Sequence, residues 1–193
     1  MKRAIHTVNV YGASSSRISA KYTDAAYELG QLLAKAGIAC INGGGSSGIM
    51  RAVSDGVLDG GGHVIGVIPQ FMKDNGWHYS RLSELAVTAD MHSRKSLMAE
   101  RGDAAVAMPG GCGTLDELFE IITWRQLGLF DGEVIIFNVD HYYDDLLAML
   151  ARGLSEGFMR PTHVKLWHVA TTAQEVMEII SGGVETVKVE SKY

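Results

Sequence analysis

The sequence contains little proline and little cysteine: 3 Pro and 2 Cys among 193 residues, beside 23 Gly. Disordered chains enrich proline and glycine together, so this imbalance argues against disorder. The glycines follow no three-residue period, which excludes a collagen-like chain. They must therefore lie where the backbone needs a positive φ or a close approach to another group.

Other shortages exclude whole classes of function. The net charge of −5 disfavours a nucleic-acid partner, because general nucleic-acid binders are basic. No apolar run reaches the roughly 18 residues of a membrane span, and the first apolar run ends too early for a signal peptide. Cys40 and Cys112 are too few for a disulfide framework, so a reduced, cytoplasmic setting is expected.

Short β-branched runs alternate with segments of helical periodicity along the whole chain. The predicted strands are 5–11, 38–41, 63–68, 85–88, 104–108, 134–139 and 164–169. The predicted helices are 21–36, 49–58, 90–101, 115–127, 142–152 and 173–180, with 70–83 irregular. Continuous apolar strands are typical of a parallel sheet covered on both faces. The pattern predicts an α/β fold, a doubly wound parallel sheet of about seven strands with helices on both faces. We expect one domain over 1–193, with a frayed tail after about 183.

Three loops that follow predicted strands are rich in glycine or serine: 12–17, 43–48 and 109–114. Ligands of such folds bind beyond the carboxyl ends of the strands, and successive glycine amides together with a helix N-terminus attract an anion. The alternative is that these residues only make turns and helix caps. Three such loops at one end of the same sheet favour an anion site.

The best-known phosphate motifs fit poorly. Gly43, Gly45 and Gly48 satisfy G-x-G-x-x-G, but in the second strand–helix unit, and the next strand ends without the acidic residue that binds a ribose. NAD is therefore disfavoured. The P-loop pattern fails because Ile49 follows Gly48 where lysine is required. A single phosphate monoester is the better expectation.

Charged residues beside these loops are the candidates for chemistry. Arg94 and Lys95 stand near the start of one predicted helix, and Glu117 near the start of the next. Thr114 and Glu117 also have the spacing of a capping box, which would be a purely structural role. Cys112 precedes the same helix and is a weaker candidate, as a nucleophile. Residues 77–79 could border a base pocket or could simply pack.

The helix predicted at 115–127 is apolar on more than one side. Leu115, Leu118, Phe119 and Ile122 form one face, and Ile121 and Trp124 extend it around the helix. A helix that is apolar all round is covered by another layer or by a second subunit.

Two motifs resemble a known family. Met91-His92-x-Arg94-Lys95 and Pro109-Gly110-Gly111-x-Gly113-Thr114-x-x-Glu117 are similar to those of the LOG (Lonely Guy) family, the cytokinin riboside 5′-monophosphate phosphoribohydrolases, often mislabelled as possible lysine decarboxylases. The similarity covers nearly the whole chain and includes Asn138-Val139-Asp140-x-Tyr142-Tyr143. Cys112 replaces the family's common tyrosine, and residues 76–80 lack an acidic residue that the family often carries. The purine base that the substrate carries therefore stays open.

The resemblance implies a Rossmann-like homodimer that hydrolyses the N-glycosidic bond of an adenosine 5′-monophosphate, bare or N6-substituted. It makes Arg94 and Glu117 the catalytic pair. No cofactor is expected, and no spacing of His, Cys or Asp in the sequence suggests a metal site. Taken with the glycine loops, it gives these expected nucleotide-binding residues: Gly12, Ser14, Gly43, Gly44, Gly45, Met91, Arg94, Lys95, Pro109, Gly110, Gly111, Cys112, Gly113, Thr114 and Glu117.

The chemistry of such a reaction suits these residue types. Breaking the C1′–N9 bond builds positive charge on the ribose, which a carboxylate stabilises. Arg94 would offset negative charge on the leaving purine.

The alternatives are a plain AMP nucleosidase and a non-catalytic carrier of a nucleotide or of molybdenum cofactor. Lysine decarboxylation finds no support, because no lysine has a convincing site for pyridoxal phosphate.

Overall fold

A computed structural model describes residues 3–184, so the expectation of a frayed tail after about 183 falls almost wholly outside the described residues. Its sheet has seven parallel strands in the order β4-β3-β2-β1-β5-β6-β7. The strands are β1 Thr7–Tyr11, β2 Ala39–Asn42, β3 Val64–Pro69, β4 Glu84–Thr88, β5 Ala104–Ala107, β6 Glu133–Phe137 and β7 His168–Ala170. The predicted parallel sheet is confirmed.

Helices cover both faces of the sheet. They are α1 Ala20–Lys35, α2 Gly48–Asp59, α3 Gln70–Asp74, α4 Met91–Arg101, α5 Cys112–Leu127, α6 Asp144–Ser155 and α7 Ala173–Ser181. The apolar residues of α1, α2 and α7 form one core, and those of α4, α5 and α6 form the other. Both cores are built on buried aliphatic strand residues, which explains the continuous apolar runs. No helix among residues 3–184 is both long enough and apolar enough to cross a membrane.

The order of the strands places a crevice between β1 and β5. From β1 the chain adds strands outward in one direction as far as β4, and then returns to the other side of β1 with β5. The connections on either side of this switch point diverge, which leaves room for a ligand at the carboxyl ends of the strands. The loops 12–17 and 109–114 follow the two strands that flank it, and loop 43–48 follows β2 next to them.

Three sequence predictions are wrong in detail. The strand expected at 164–169 is a 3₁₀ helix, Pro161–Leu166, followed by the short strand β7, because proline favours the first turn of a helix. The irregular segment 70–83 contains the short helix α3. Helix α5 begins at Cys112 with Gly111 as N-cap, so Thr114 lies inside the helix and caps nothing; the capping box of Thr114 and Glu117 is therefore not formed.

Candidate active site

The three glycine-rich loops meet at the switch point and are bonded to one another. The Ala13 N–H donates to the Pro109 carbonyl at 3.1 Å, and the Ile49 N–H donates to the Ala13 carbonyl at 2.8 Å. The Ser47 hydroxyl donates to the Ser14 carbonyl at 2.5 Å. Loop 12–17 is thus fixed between the other two, and the predicted convergence of the loops is confirmed.

One glycine of the second loop is required by its conformation. Gly48 has a φ of +62°, and a Cβ on it would lie 2.4 Å from the Ala13 carbonyl oxygen. A larger residue would be strained in this left-handed conformation and would also clash with backbone. Gly48 therefore lets α2 begin against loop 12–17.

Arg94 is held in place by the local structure of α4. The helix begins with a capping box in which the Asp90 carboxylate accepts from the Ser93 N–H at 2.8 Å and the Ser93 hydroxyl accepts from the Asp90 N–H at 3.1 Å. One turn later Arg94 is buried, with 8% of its surface exposed. Its Nε donates to the Val67 carbonyl at 3.0 Å, which leaves the end of the guanidinium facing α5.

Glu117 receives that guanidinium. Arg94 Nη2 lies 3.2 Å from Glu117 Oε1, and Glu117 is 9% exposed. Burial raises the pKa of Glu117, and the positive charge of Arg94 opposes this rise. The two residues that the sequence proposes as catalytic therefore form a buried ion pair beside the glycine loops.

Gly43 makes room for this pair. A Cβ on Gly43 would lie 2.1 Å from Arg94 Nη2, so the guanidinium packs directly against the backbone of the second loop. The loop, α4 and α5 are thereby in contact at one point. Any substrate group that reaches Glu117 therefore lies close to all three elements.

The start of α5 is suited to an anion. Among the described residues no side chain caps this end, and the space beside Gly111 and Gly113 is open. The first N–H groups of a helix lack partners within the helix, and its dipole adds partial positive charge there. Cys112 is exposed in the same turn, while Thr114 is buried beneath Gly110.

Lys95 lies apart from the glycine loops, where α4 faces α5. Its Nζ is 3.0 Å from Asp116 Oδ2 and 3.1 Å from Glu120 Oε2. Burial alone would lower the pKa of Lys95, but the hydrogen bonds to Asp116 and Glu120 outweigh it and raise that pKa. Lys95 joins α4 to α5 at the level of the Arg94–Glu117 pair, and its contact with nucleotide stays a prediction.

The other expected binding residues lie around this centre. Met91 begins α4, and its sulfur is 3.8 Å from Arg94 Nη1. The Gly44 carbonyl accepts from the Tyr79 N–H at 2.8 Å, and Gly45 pairs with His78. The segment 77–79 therefore packs against the second loop, and its place beside a base pocket stays a prediction.

Two residues at the site were absent from the sequence-derived set. The Tyr142 hydroxyl donates to the Gly110 carbonyl at 2.8 Å. Tyr11, the last residue of β1, lines a small pocket with Lys95, Glu117 and Glu120. Burial, reinforced by the negative charge of Glu117, raises the pKa of Tyr11 and keeps its phenol neutral. The tyrosines of the motif at 138–143 were visible in the sequence, but nothing local showed what they contact.

The sequence is similar to a protein family and to plant enzymes. A family model described as "Possible lysine decarboxylase" matches residues 50–180. Cytokinin riboside 5′-monophosphate phosphoribohydrolase LOG3 of Arabidopsis thaliana is 42% identical over 92% of this chain and 82% of its own length. The LOG4 enzyme of the same plant is 43% identical over 88% of this chain and 79% of its own.

Solved structures with the same fold are more distant in sequence. A molybdenum cofactor binding protein from Rippkaea orientalis has a TM-score of 0.72 at 22% identity, over 94% of this chain and 98% of that one. The molybdenum cofactor carrier protein of Chlamydomonas reinhardtii has a TM-score of 0.70 at 21% identity, over 94% and 98% of the two chains. At these identities the likeness shows the fold alone.

Proposed function

Because this chain belongs to the LOG family of cytokinin riboside 5′-monophosphate phosphoribohydrolases, we propose that it hydrolyses the N-glycosidic bond of adenosine 5′-monophosphates that carry an N6 substituent. The products are a free base and ribose 5-phosphate. The observation that carries the proposal is the buried Arg94–Glu117 pair beside three converging glycine loops. A phosphate at those loops would fix the ribose while the pair acts at its other end.

The reaction can be written on these residues. The C1′–N9 bond breaks, its electron pair passes to the purine, and an oxygen of water bonds to C1′. The ionised carboxylate of Glu117 stabilises the positive charge of the ribose and takes one proton from the attacking water. The purine leaves with that electron pair and takes up one proton, Glu117 returns the proton it accepted, directly or through solvent, and Arg94 offsets the negative charge of the purine until it is protonated.

Arg94 also has a role before the chemistry. Burial favours the protonated form of Glu117, which could neither stabilise a cation nor accept a proton. The guanidinium at 3.2 Å favours the ionised form. The pair therefore keeps a desolvated carboxylate charged at the position where the ribose becomes positive.

The first prediction is that Glu117→Gln abolishes release of base and ribose 5-phosphate. The amide has the size of the carboxylate but no charge, and loss of a general base of this kind costs roughly 100-fold to 10,000-fold in rate. The measurement is free base and ribose 5-phosphate after incubation with AMP and with N6-isopentenyl-AMP. Glu100→Gln, an exposed position on α4, is the matched control.

Nucleotide binding and the melting temperature are measured on the same variants. Retained binding and folding with lost turnover support the role of Glu117, whereas full activity in Glu117→Gln would exclude it. If the wild type releases base from AMP but not from N6-isopentenyl-AMP, it is a plain AMP nucleosidase. Tight nucleotide binding without release from either substrate would indicate a carrier.

The proposal includes the cellular compartment and the oligomeric state of the enzyme. We place it in the cytoplasm, since Cys40 and Cys112 are both free thiols. We also propose a homodimer that covers the exposed apolar side chains of α5. Nucleic acid and membrane are not proposed as partners, and the expected ligand is a nucleoside monophosphate.

A further inference from the structure

The turn after β6 has an unusual backbone. It is the motif at 138–143, and its carboxyl-terminal position on β6 places it at the same edge of the sheet as the glycine loops. Asp140 and His141 have φ values of +49° and +61°. Consecutive residues other than glycine rarely adopt this left-handed conformation, and it persists where surrounding contacts impose it.

Side chains of two helices contact this turn. Lys21 of α1 forms an ion pair with Asp140. His141 Nδ1 lies 3.1 Å from Asp144 Oδ2 at the start of α6. The Asn138 side chain donates to Asp144 Oδ1 at 2.7 Å and accepts from the Tyr143 N–H at 2.7 Å. The turn is thus anchored without help from the loop at 109–114.

The anchored turn directs two tyrosine hydroxyls at that loop. Tyr142 donates to the Gly110 carbonyl at 2.8 Å, and Tyr143 donates to the Met108 carbonyl at 2.7 Å. Their rings pack edge to face at 5.0 Å, and the Tyr142 ring packs edge-on against Tyr22 of α1 at 5.8 Å. Both hydroxyls are therefore held in fixed positions.

Three successive carbonyls before α5 are held in this way. The Met108 and Gly110 carbonyls accept from the two tyrosines, and the Pro109 carbonyl between them accepts from the Ala13 N–H at 3.1 Å. A trans peptide is planar, so its N–H points opposite to its C=O. Fixing the Gly110 carbonyl toward Tyr142 therefore fixes the Gly111 N–H in the opposite direction.

This orientation matters for an anion at the start of α5. Carbonyl oxygens repel an anion, whereas N–H groups bind it. Gly111 is the N-cap of α5, and the space beside Gly111 and Gly113 is open. With the preceding carbonyls held by donors elsewhere in the protein, the Gly111 N–H points away from Tyr142, and the open space beside Gly111 and Gly113 is free for an anion.

We propose that the turn at 138–143 is a positioning arm for this anion site, and that Tyr142 keeps the Gly110 peptide oriented for a phosphate monoester. Tyr142 acts through that peptide and is a positioning residue. The proposal rests on the proposed function only in that the anion is the 5′-phosphate of the nucleotide. Removing the Tyr142 hydroxyl frees the Gly110 carbonyl to turn, and phosphate binding weakens.

The test compares Tyr142→Phe with Tyr27→Phe, which also loses one hydroxyl hydrogen bond, to Asp59 at 3.2 Å and away from the loops. Calorimetry measures the Kd of inorganic phosphate and of ribose 5-phosphate, and steady-state kinetics measures KM and kcat for N6-isopentenyl-AMP. In Tyr142→Phe we expect both Kd values and KM to rise roughly fivefold, the effect of one hydrogen bond. We expect kcat to stay within twofold, and Tyr27→Phe to match the wild type.

Unchanged phosphate and ribose 5-phosphate Kd values in Tyr142→Phe would overturn the proposal. A fall in melting temperature and kcat with unchanged Kd values would also overturn it, because that is the result of a merely structural residue. The Kd values need no turnover. If the wild type binds phosphate but releases no base, the proposed function fails, and the two variants still decide the role of Tyr142.

Discussion

Glu117 is the residue on which four neighbouring charges and burial act together. Burial raises its pKa most, Arg94 and Lys95 lower it, and Asp116 and Glu120 raise it. Lys95 is itself bonded to both of those acidic residues. Neutralising one member of the group therefore shifts the pH at which Glu117 becomes ionised, in a direction that the sign of the lost charge fixes.

The corresponding prediction concerns the acid limb of kcat. Glu117 must be ionised to act, so activity falls as the pH falls through its raised pKa. Asp116→Asn removes a negative charge and should move this limb to lower pH. Lys95→Met removes a positive charge and should move it to higher pH. Each shift should be roughly half a pH unit, as expected for one charge several ångströms away.

The measurement is kcat between about pH 4 and pH 8 at saturating nucleotide, so that any change in binding by Lys95→Met does not enter. If the acid limbs of Asp116→Asn and Lys95→Met both move in the same direction, Glu117 is not the titrating group. Shifts in opposite directions would support it as the base. Lys95→Met with an unchanged limb but a raised KM would instead favour the predicted nucleotide contact of Lys95.

At the scale of loops and helices, the site depends on how closely the second glycine loop approaches α4. A Cβ on Gly43 would lie 2.1 Å from Arg94 Nη2. The obstructing atom is the far end of a side chain, so the loop can accept a methyl group if the guanidinium moves. Arg94 would then leave its position 3.2 Å from Glu117 Oε1.

Gly43→Ala should therefore lower kcat/KM, and it should also lower the melting temperature because the buried Arg94–Glu117 pair is broken. A displacement of about 1 Å in a catalytic group costs on the order of 100-fold. Gly153→Ala in α6 is the control, since a Cβ there would meet the Met159 sulfur at an ordinary 3.4 Å. Kinetics and thermal melting are measured on both variants. Wild-type kinetics in Gly43→Ala would mean that the contact of loop and guanidinium has no part in the reaction.

The same scale shows what the sequence can and cannot predict. The sheet and its order of elements follow from local periodicity, because strands such as β3 are apolar at every position. The start of α5 does not follow. Thr114 and Glu117 have the spacing of a capping box, yet three carbonyl bonds to distant residues fix the loop so that the helix begins earlier.

The candidate site also has a part that the sequence predicts and a part that it does not. The resemblance to a family predicts Arg94 and Glu117 as the catalytic pair, and the structure shows that they touch. No sequence pattern indicates that Arg94 also binds the Val67 carbonyl, or that Tyr142 reaches Gly110. These contacts join residues far apart in the chain, so they depend on the packing of whole elements.

At the scale of the whole molecule, α5 and the turn after it remain partly uncovered. Phe119, Leu127 and Leu129 are 41%, 54% and 70% exposed. The other side of α5 packs in the core through Leu118, Ile121 and Ile122. This arrangement agrees with the sequence pattern, in which the helix is apolar around more than one face. The proposed homodimer would remove these three side chains from water.

The last prediction is that Phe119→Asp converts a dimer into a monomer. A buried aromatic anchor contributes about 2 kcal/mol or more to an interface, and a buried unpaired carboxylate costs further free energy, so the dimer dissociation constant should rise on the order of 30-fold or more. Sedimentation equilibrium measures it. Phe71→Asp, a similarly exposed phenylalanine on α3, is the control and should stay dimeric.

If the wild type sediments as a monomer at micromolar concentration, or if both variants dissociate equally, α5 is not the interface. If only Phe119→Asp dissociates, kinetics on the monomer then shows whether one Arg94–Glu117 pair suffices.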